Sequence, residues 1–247
     1  MKQKLDELLY TDGIQDYMSL KIFDLTTHIK RFESSLVKDM DKLNKAYKSL
    51  FNSIWKASII FDKIEFNRHL LNNGIMVKIQ YGGFVRTDIE HFHTIVDSSM
   101  NYLIAIMSEM LIFKTKIDNF NTFLIHLAEY KDDLGTDIFE LLNELSDETS
   151  WYKKLKRVRN HLVHRGAETM VFFNDGQNTA FEINFNKGKK AEQFIFEEYA
   201  VEHYVEYLYF LHKLGLLLEK KIKPIHPQSK FRITGQGLKV LKSWADR

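Results

Sequence analysis

The sequence predicts an all-α protein in which long helices pack as an antiparallel bundle, with one β-hairpin after a late helix. Apolar residues recur at steps of three and four over several long stretches, which is the period of a helix with one buried face. Only two Pro and eleven Gly occur in 247 residues, so few positions interrupt such helices. Hydrophobic residues make up 45% of the chain, enough for a sizeable core, and we expect residues 1–247 to form one domain.

The first long helix is predicted over residues 17–71. Asn72, Asn73 and Gly74 are expected to end it, because Asn and Gly favour turns. Its apolar seam comprises Leu25, Ile29, Phe32, Leu36, Met40, Leu43, Tyr47, Leu50, Ile54, Ala57, Phe61 and Ile64. Such a seam also suits a coiled-coil dimer, but the helices predicted further along favour packing within one molecule.

A second long helix is predicted over residues 88–116, after a connector at 75–87 that contains the pair Gly82-Gly83. Shorter helices are predicted over 119–130 and 137–145, where apolar residues again recur at helical spacing.

Asp88, His91 and His93 are metal-ligand residue types close together in the chain. The two histidines are two residues apart and do not share a helical face, so we predict no metal site and no cofactor.

The next helix, predicted over 147–165, separates apolar from polar residues. Trp151, Leu155, Val158 and Leu162 form one narrow apolar stripe. Asn160 and His164, one turn apart, project opposite that stripe, and Arg159 lies on its flank. Ser146 or Asp147 is expected to cap the start of this helix, and Gly166 to end it.

After this helix the period changes. Residues 169–186 hold an apolar run at 170–173 and a second segment at 181–185 that alternates apolar and polar side chains. Asn174, Asp175 and Gly176 lie between them, which predicts a β-hairpin. A last long helix is predicted over 194–222, and Pro224 and Pro227 separate it from a C-terminal tail at 223–247.

Residues 159–164 read Arg-Asn-His-Leu-Val-His, an R-N-x-x-x-H pattern on a late helix of an all-helical chain. This pattern resembles the signature of the HEPN superfamily of helical-bundle proteins, with Arg159, Asn160 and His164 at the three motif positions. The resemblance implies a HEPN-type bundle and a metal-independent endoribonuclease whose motifs meet at a homodimer interface in one composite site. A second Arg-to-His match, Arg86 to His91, has Thr after the Arg and two acids within it, so we set it aside.

These residue types suit RNA cleavage by the 2′-hydroxyl. His164 can accept or donate a proton near neutral pH, Arg159 can hold phosphate oxygens, and Asn160 can orient His164 or the phosphate. Further RNA contacts are expected from cations on the same helix, namely Lys153, Lys156, Arg157, His161 and Arg165. The hairpin is interpreted either as a flap over the RNA, helped by Lys187, Lys189 and Lys190, or as a structural insertion.

Composition limits the other possibilities. The net charge of +2 gives no global attraction to polyanions, so RNA binding must be local. The chain has no cysteine, which excludes disulfides, thiolate metal sites and a cysteine nucleophile. The N-terminus lacks the apolar region of a secretory signal, and no apolar run is long enough to span a membrane, so we expect a soluble cytoplasmic protein.

We therefore expect a homodimeric ribonuclease acting on RNA, in the setting of a toxin or an antiviral defence effector, with an antitoxin or regulatory partner. The alternative is a catalytically silent HEPN-like dimeric module that binds RNA, nucleotide or a partner protein. A third hypothesis is an elongated structural coiled coil.

Overall fold

The computed structural model describes residues 20–32, 34–111, 113, 117, 119–165, 170–174, 178–185 and 190–222, together with Gln3, Lys4 and Asp6. Within these ranges the side chains of Phe32, His164, Arg165, 170–174 and Asn178 lie outside the description.

The protein is mostly helical, which confirms the predicted all-α class. The helices are α1 (Lys21–Phe32), α2 (Met40–Asn72), α3 (Lys78–Leu111), α4 (Phe120–Ile125), α5 (Lys131–Leu134), α6 (Thr136–Glu144), α7 (Trp151–Arg165) and α8 (Phe196–Ile222). Two 3₁₀ turns lie at Ser34–Leu36 and Leu127–Tyr130.

The predicted helix at 17–71 is two helices, α1 and α2, because Asp39 starts a new one. Its side chain accepts hydrogen bonds from the backbone N–H groups of Asp41 and Lys42, both at 3.1 Å. The apolar seam therefore belongs to two elements, and its members in α2 after Met40 are buried within the chain. The seam is therefore buried by packing within one molecule and not in a coiled-coil dimer. Gly74, with φ of +70°, follows the end of α2 as expected.

The predicted connector at 75–87 is wrong, because α3 begins at Lys78 and contains Gly82 and Gly83. Tyr81 and Val85 are fully buried on the same face as Ile89. Their burial outweighs the helix propensity cost of two glycines, which is about 1 kcal/mol each. The helix ends at Leu111 rather than at residue 116, and it packs along α2 as a long helical hairpin.

The predicted hairpin is part of a three-stranded antiparallel sheet in the order β1 (Met170–Asn174), β2 (Asn178–Ile183), β3 (Glu192–Ile195). The last helix was predicted to start at residue 194, inside the third strand, but it begins at Phe196. Val171 is opposite Phe181, and Phe181 is opposite Phe194. The sheet is fixed to the bundle by the Tyr81 hydroxyl, 2.9 Å from the Thr179 hydroxyl, and by the Glu197 carboxylate, which accepts the Thr179 N–H at 3.0 Å.

Helix α8 is the centre of the bundle. Its tyrosines join distant elements: the Tyr204 hydroxyl donates to the Ile54 carbonyl at 2.8 Å, and the Tyr207 hydroxyl to the Ser99 hydroxyl at 2.6 Å. Gly215 lies against the first turn of α1, so close that a Cβ atom there would be 2.2 Å from the Ile22 nitrogen. The α1–α8 contact is therefore made backbone to backbone.

None of the helices in the described ranges is long and apolar enough to cross a membrane. The tail at 223–247, the hairpin turn at 175–177, and Lys187 and Lys189 lie outside the described residues. Lys190, the remaining cation assigned to the flap interpretation, is exposed.

Candidate functional site

Helix α7 carries the motif and is anchored by its apolar stripe. Leu155, Val158 and Leu162 are each at most 3% exposed, whereas Trp151 is only partly buried. Tyr152 is also fully buried, so the buried face is wider than the four-residue stripe. The helix packs against α3 and α8, which fixes the direction in which its polar residues project.

The helix begins at Trp151, four residues later than predicted, because Ser150 is its cap. The Ser150 hydroxyl accepts the N–H of Lys153 at 3.2 Å. Asp147, an expected cap, instead accepts the N–H of Thr149 at 2.7 Å and closes the preceding turn. These contacts lower the pKa of Asp147, the largest contribution coming from the Thr149 hydroxyl.

The side chain of Arg159 extends from α7 toward α3, and two of its nitrogens have contacts. Its Nε is 3.6 Å from the Asp97 carboxylate of α3, and its Nη1 donates to the Asn160 Oδ1 at 3.0 Å. The Tyr152 hydroxyl donates to the other Asp97 oxygen at 3.2 Å. Burial, followed by the charge of Asp97, raises the pKa of Tyr152, so this hydroxyl stays a donor. Asp97 thus orients one edge of the Arg159 guanidinium, and the opposite edge contacts the exposed side-chain amide of Asn160.

Asn160 is exposed, as predicted for a residue opposite the apolar stripe. His164 and Arg165 belong to the last turn of α7, but their side chains lie outside the described residues. On a helix, His164 follows Asn160 by four residues, so their Cα atoms are about 6 Å apart along the axis. The backbone therefore gives the motif the spacing that a shared site needs.

Three cations assigned to RNA contacts each have a partner in the described structure. Lys153 is 3.4 Å from the exposed Glu148 carboxylate. Arg157 donates to Glu192 at 2.8 Å and stacks on the Phe185 ring at 3.8 Å. Lys156 lies over the Tyr152 ring at 5.7 Å, and burial lowers its pKa. Exposed ion pairs of this type are worth only about 0–1 kcal/mol, so a phosphate can displace those of Lys153 and Arg157.

The position of His161 argues against the predicted RNA contact. Its side chain is only 7% exposed, and its ring meets Phe185 edge to face at 5.4 Å. The residue holds the segment after β2 against α7, so we omit it from the proposed RNA-binding set.

The second Arg-to-His match lies within α3 rather than at its start. The Arg86 Nε donates to Glu90 at 3.4 Å, and His91 is exposed. His93 is fully buried, and its two nitrogens bond the Ile89 carbonyl at 2.7 Å and the Tyr199 hydroxyl at 3.0 Å. Among the residues that the structure describes, no group of three His, Asp or Glu is placed to hold a metal ion.

Sequence reasoning missed Asp97 as the partner of Arg159. It also missed Glu192 and Phe185, which hold Arg157. All three come from other elements than α7. Asp97 lies on the side of α3 that meets α7. From the helical pattern alone, an aspartate at this position would be predicted to face solvent.

The fold and the helix define a helical-bundle protein that presents an Arg-Asn pair beside a partly buried aspartate. Comparison with protein families, with curated proteins and with solved structures finds no match to this chain.

Proposed function

We propose that this protein is a metal-independent endoribonuclease of HEPN type that acts on RNA as a homodimer. Arg159, Asn160 and His164 of each subunit would form one composite site. The setting we propose is a toxin or defence effector in the cytoplasm, held in check by an antitoxin or regulatory partner.

The observation that carries this proposal is the arrangement of Arg159. An ion pair with Asp97 at 3.6 Å and a hydrogen bond to Asn160 at 3.0 Å favour one orientation of the guanidinium at the surface edge of α7. A guanidinium in a fixed orientation can bind two phosphate oxygens at once. The apolar stripe faces the core, so the polar edge of α7 is left for a second subunit and for RNA.

The proposed reaction needs no group from outside the site. One His164 removes the proton from the 2′-hydroxyl, whose oxygen attacks the adjacent phosphorus. The bond from phosphorus to the 5′-oxygen breaks, and that oxygen takes a proton from the His164 of the partner subunit. The products are a 2′,3′-cyclic phosphate and a 5′-hydroxyl. Arg159 stabilises the extra negative charge on the phosphoryl oxygens, and Asn160 orients the phosphate.

The pairing of Arg159 with Asp97 also favours the alternative, a silent dimeric module that binds RNA, nucleotide or a protein. An arginine that is already paired must exchange or share its partner to bind phosphate. This module would bind through the same edge of α7 without cleavage.

The test is incubation of purified wild type, Arg159→Ala and His164→Ala with total cellular RNA in EDTA. We expect wild type to cleave and His164→Ala to lose about 10²- to 10⁴-fold in rate, because a positioned acid or base contributes about that much. Arg159→Ala should lose about 10²- to 10³-fold, because it removes a group that stabilises the developing charge. The new ends are analysed for 2′,3′-cyclic phosphate, and the oligomeric state of each protein is measured by light scattering.

Arg86→Ala and His91→Ala are matched controls, since they change the other Arg-to-His match of the chain. Both should cleave like wild type. Cleavage that survives His164→Ala would contradict the catalytic assignment. A folded dimer that binds RNA but leaves it intact would favour the silent module.

A further inference from the structure

A stripe of exposed apolar side chains runs along α2, on the side opposite its buried seam. Trp55 is 54% exposed, Ile59 43% and Phe66 60%. Their spacings of four and seven residues place them within about 40° of one another around the helix. Surface apolar residues are usually scattered singly, so an aligned set of this size indicates contact with another molecule.

Two charged residues lie on the same line, one on each side of Trp55. Lys48 precedes it by seven residues and Asp62 follows it by seven, so each is about 10 Å away along the helix. In the part of the chain that the structure describes, neither side chain forms an ion pair. Burial, followed by the charge of Glu65, raises the pKa of Asp62. A cation brought close to this carboxylate would therefore be stabilising.

We propose that a second copy of this chain packs on the stripe, with its α2 antiparallel to the first. A two-fold axis at Trp55 makes residues equally far before and after Trp55 face each other. The two Trp55 rings meet at the axis, and Lys48 of each subunit meets Asp62 of the partner subunit. A line of residues seven apart drifts by about 20° around a helix, which matches the crossing angle of about 20° between helices packed lengthwise. All three contacts can therefore form together.

The positions of the charges disfavour two other arrangements. A parallel pair of α2 helices would place Lys48 against Lys48 and Asp62 against Asp62, and like-charge contacts cost affinity. The acyl region of a membrane would bury the Asp62 carboxylate, between Ile59 and Phe66, without a cation to pair with it. Antiparallel pairing instead gives each of the four charges an opposite charge.

This surface is separate from the polar edge of α7. On α3, Asp88 contacts Lys63 of α2 at 2.6 Å, and Asp97 contacts Arg159 of α7 at 3.6 Å. Nine residues of helix turn through about 900°, so the two aspartates project on opposite sides of α3. Pairing through α2 therefore does not require the proposed ribonuclease site. If both interfaces form, the protein assembles as a tetramer or a larger particle.

Sedimentation velocity of the full chain tests this pairing. A contact along one helix buries less than the about 800 Å² per partner of a standard interface, so we expect a dissociation constant of about 1–10 µM. Trp55→Glu should weaken association about thirtyfold or more, because a central tryptophan is a typical hot spot. Ile125→Glu is the control, since this residue is 71% exposed and lies on α4, outside the stripe.

Charge reversal tests the register of the two helices. Lys48→Glu and Asp62→Lys should each weaken association about tenfold, because each variant places like charges opposite one another. The double variant should associate within about threefold of wild type, since it exchanges the two charges and restores both pairs. Lys45→Glu is the matched control: it makes the same change at an exposed lysine of α2 that is turned about 60° from Lys48.

A chain that stays monomeric at about 100 µM would overturn the pairing and leave the stripe to a different partner. A double variant that associates no better than the single variants would also overturn it. A tetramer that Trp55→Glu reduces to a dimer with full RNA cleavage would support both interfaces. A dimer that Trp55→Glu makes monomeric, and that cuts no RNA, would support the α2 pairing and contradict the ribonuclease. A dimer that cleaves RNA and is unchanged by Trp55→Glu would support the ribonuclease and overturn the α2 pairing.

Discussion

At the scale of single residues, the contact between Arg159 and Asp97 decides how the motif is presented. The aspartate receives a hydrogen bond from Tyr152 on one oxygen and lies near the guanidinium with the other. A carboxylate held in this way has one preferred direction, so it acts on Arg159 as a positioning group.

Asp97→Asn tests this role. The substitution keeps one oxygen for Tyr152 but removes the charge that orients Arg159. We expect the rate of RNA cleavage to fall about ten- to hundredfold through kcat, with KM little changed, because small misplacements of a catalytic group have effects of this size. Asp137→Asn, at an exposed aspartate paired with Lys220, is the control and should retain full activity. Faster cleavage by Asp97→Asn would show instead that Asp97 restrains Arg159.

The residues of α7 also show what local spacing can and cannot predict. The stripe of Leu155, Val158 and Leu162 follows from the helical period alone, and all three are buried. The partners of Arg157 and Arg159 could not be predicted, because Glu192 and Asp97 are distant in sequence and reach α7 only through tertiary packing. Cations that have no acid beside them in the sequence can therefore still form ion pairs with acids of other elements.

At the scale of elements, the close approach of α1 and α8 depends on Gly215. A Cβ atom there would lie 2.2 Å from the Ile22 nitrogen and 2.4 Å from the Lys21 carbonyl carbon, both backbone atoms. Backbone cannot rotate aside as a side chain does, so the two helices would have to separate.

Gly215→Ala should therefore lower the free energy of unfolding by about 3 kcal/mol or more, at the upper end of the usual cost of overpacking. Gly83→Ala is the control: this glycine is also helical, but nothing lies within 4 Å of its Cβ position. It should be neutral or stabilising by up to about 1 kcal/mol through helix propensity. Urea unfolding measures both. Equal stability of the two variants would mean that α1 is not packed on α8 as described.

Errors of the sequence prediction at this scale have physical causes. Gly82 and Gly83 suggested a connector, but burial of Tyr81 and Val85 holds them in α3. The strand β3 was missed because it is only four residues long and runs directly into α8. Asp39 was a detectable cap, but the apolar seam continued through it at helical spacing and concealed the break.

At the scale of the whole molecule, buried histidines make stability depend on pH. Burial lowers the pKa of His93 to about 3, and the charge of His203 adds to this shift, whereas the hydrogen bond to the Ile89 carbonyl opposes it. The unfolded chain has the ordinary histidine pKa of about 6.5. Between these values the unfolded state binds a proton that the native state does not, so stability is present above about pH 6.5 and is lost as the pH falls.

From pH 7 to pH 5 this histidine alone should cost about 2 kcal/mol of unfolding free energy, at about 1.4 kcal/mol per pKa unit. His203, whose pKa is also lowered, adds in the same direction. His93→Gln should flatten the dependence of the urea midpoint on pH over this range. His126→Gln, at an exposed histidine, should leave it unchanged. A dependence equally steep in both variants would exclude His93 as its source.

The contact between Gly215 and the start of α1 also bears on synthesis of the chain. Ile22 leaves the ribosome long before Gly215 is added, 193 residues later (215 − 22). At about 5–20 residues per second, α1 waits about 10–40 s for the helix that covers its apolar face. The contact between α1 and α8 cannot form before α8 has been made, so a nascent chain exposes that face until α8 emerges. The first helix therefore reaches its final packing only after Gly215 has been added.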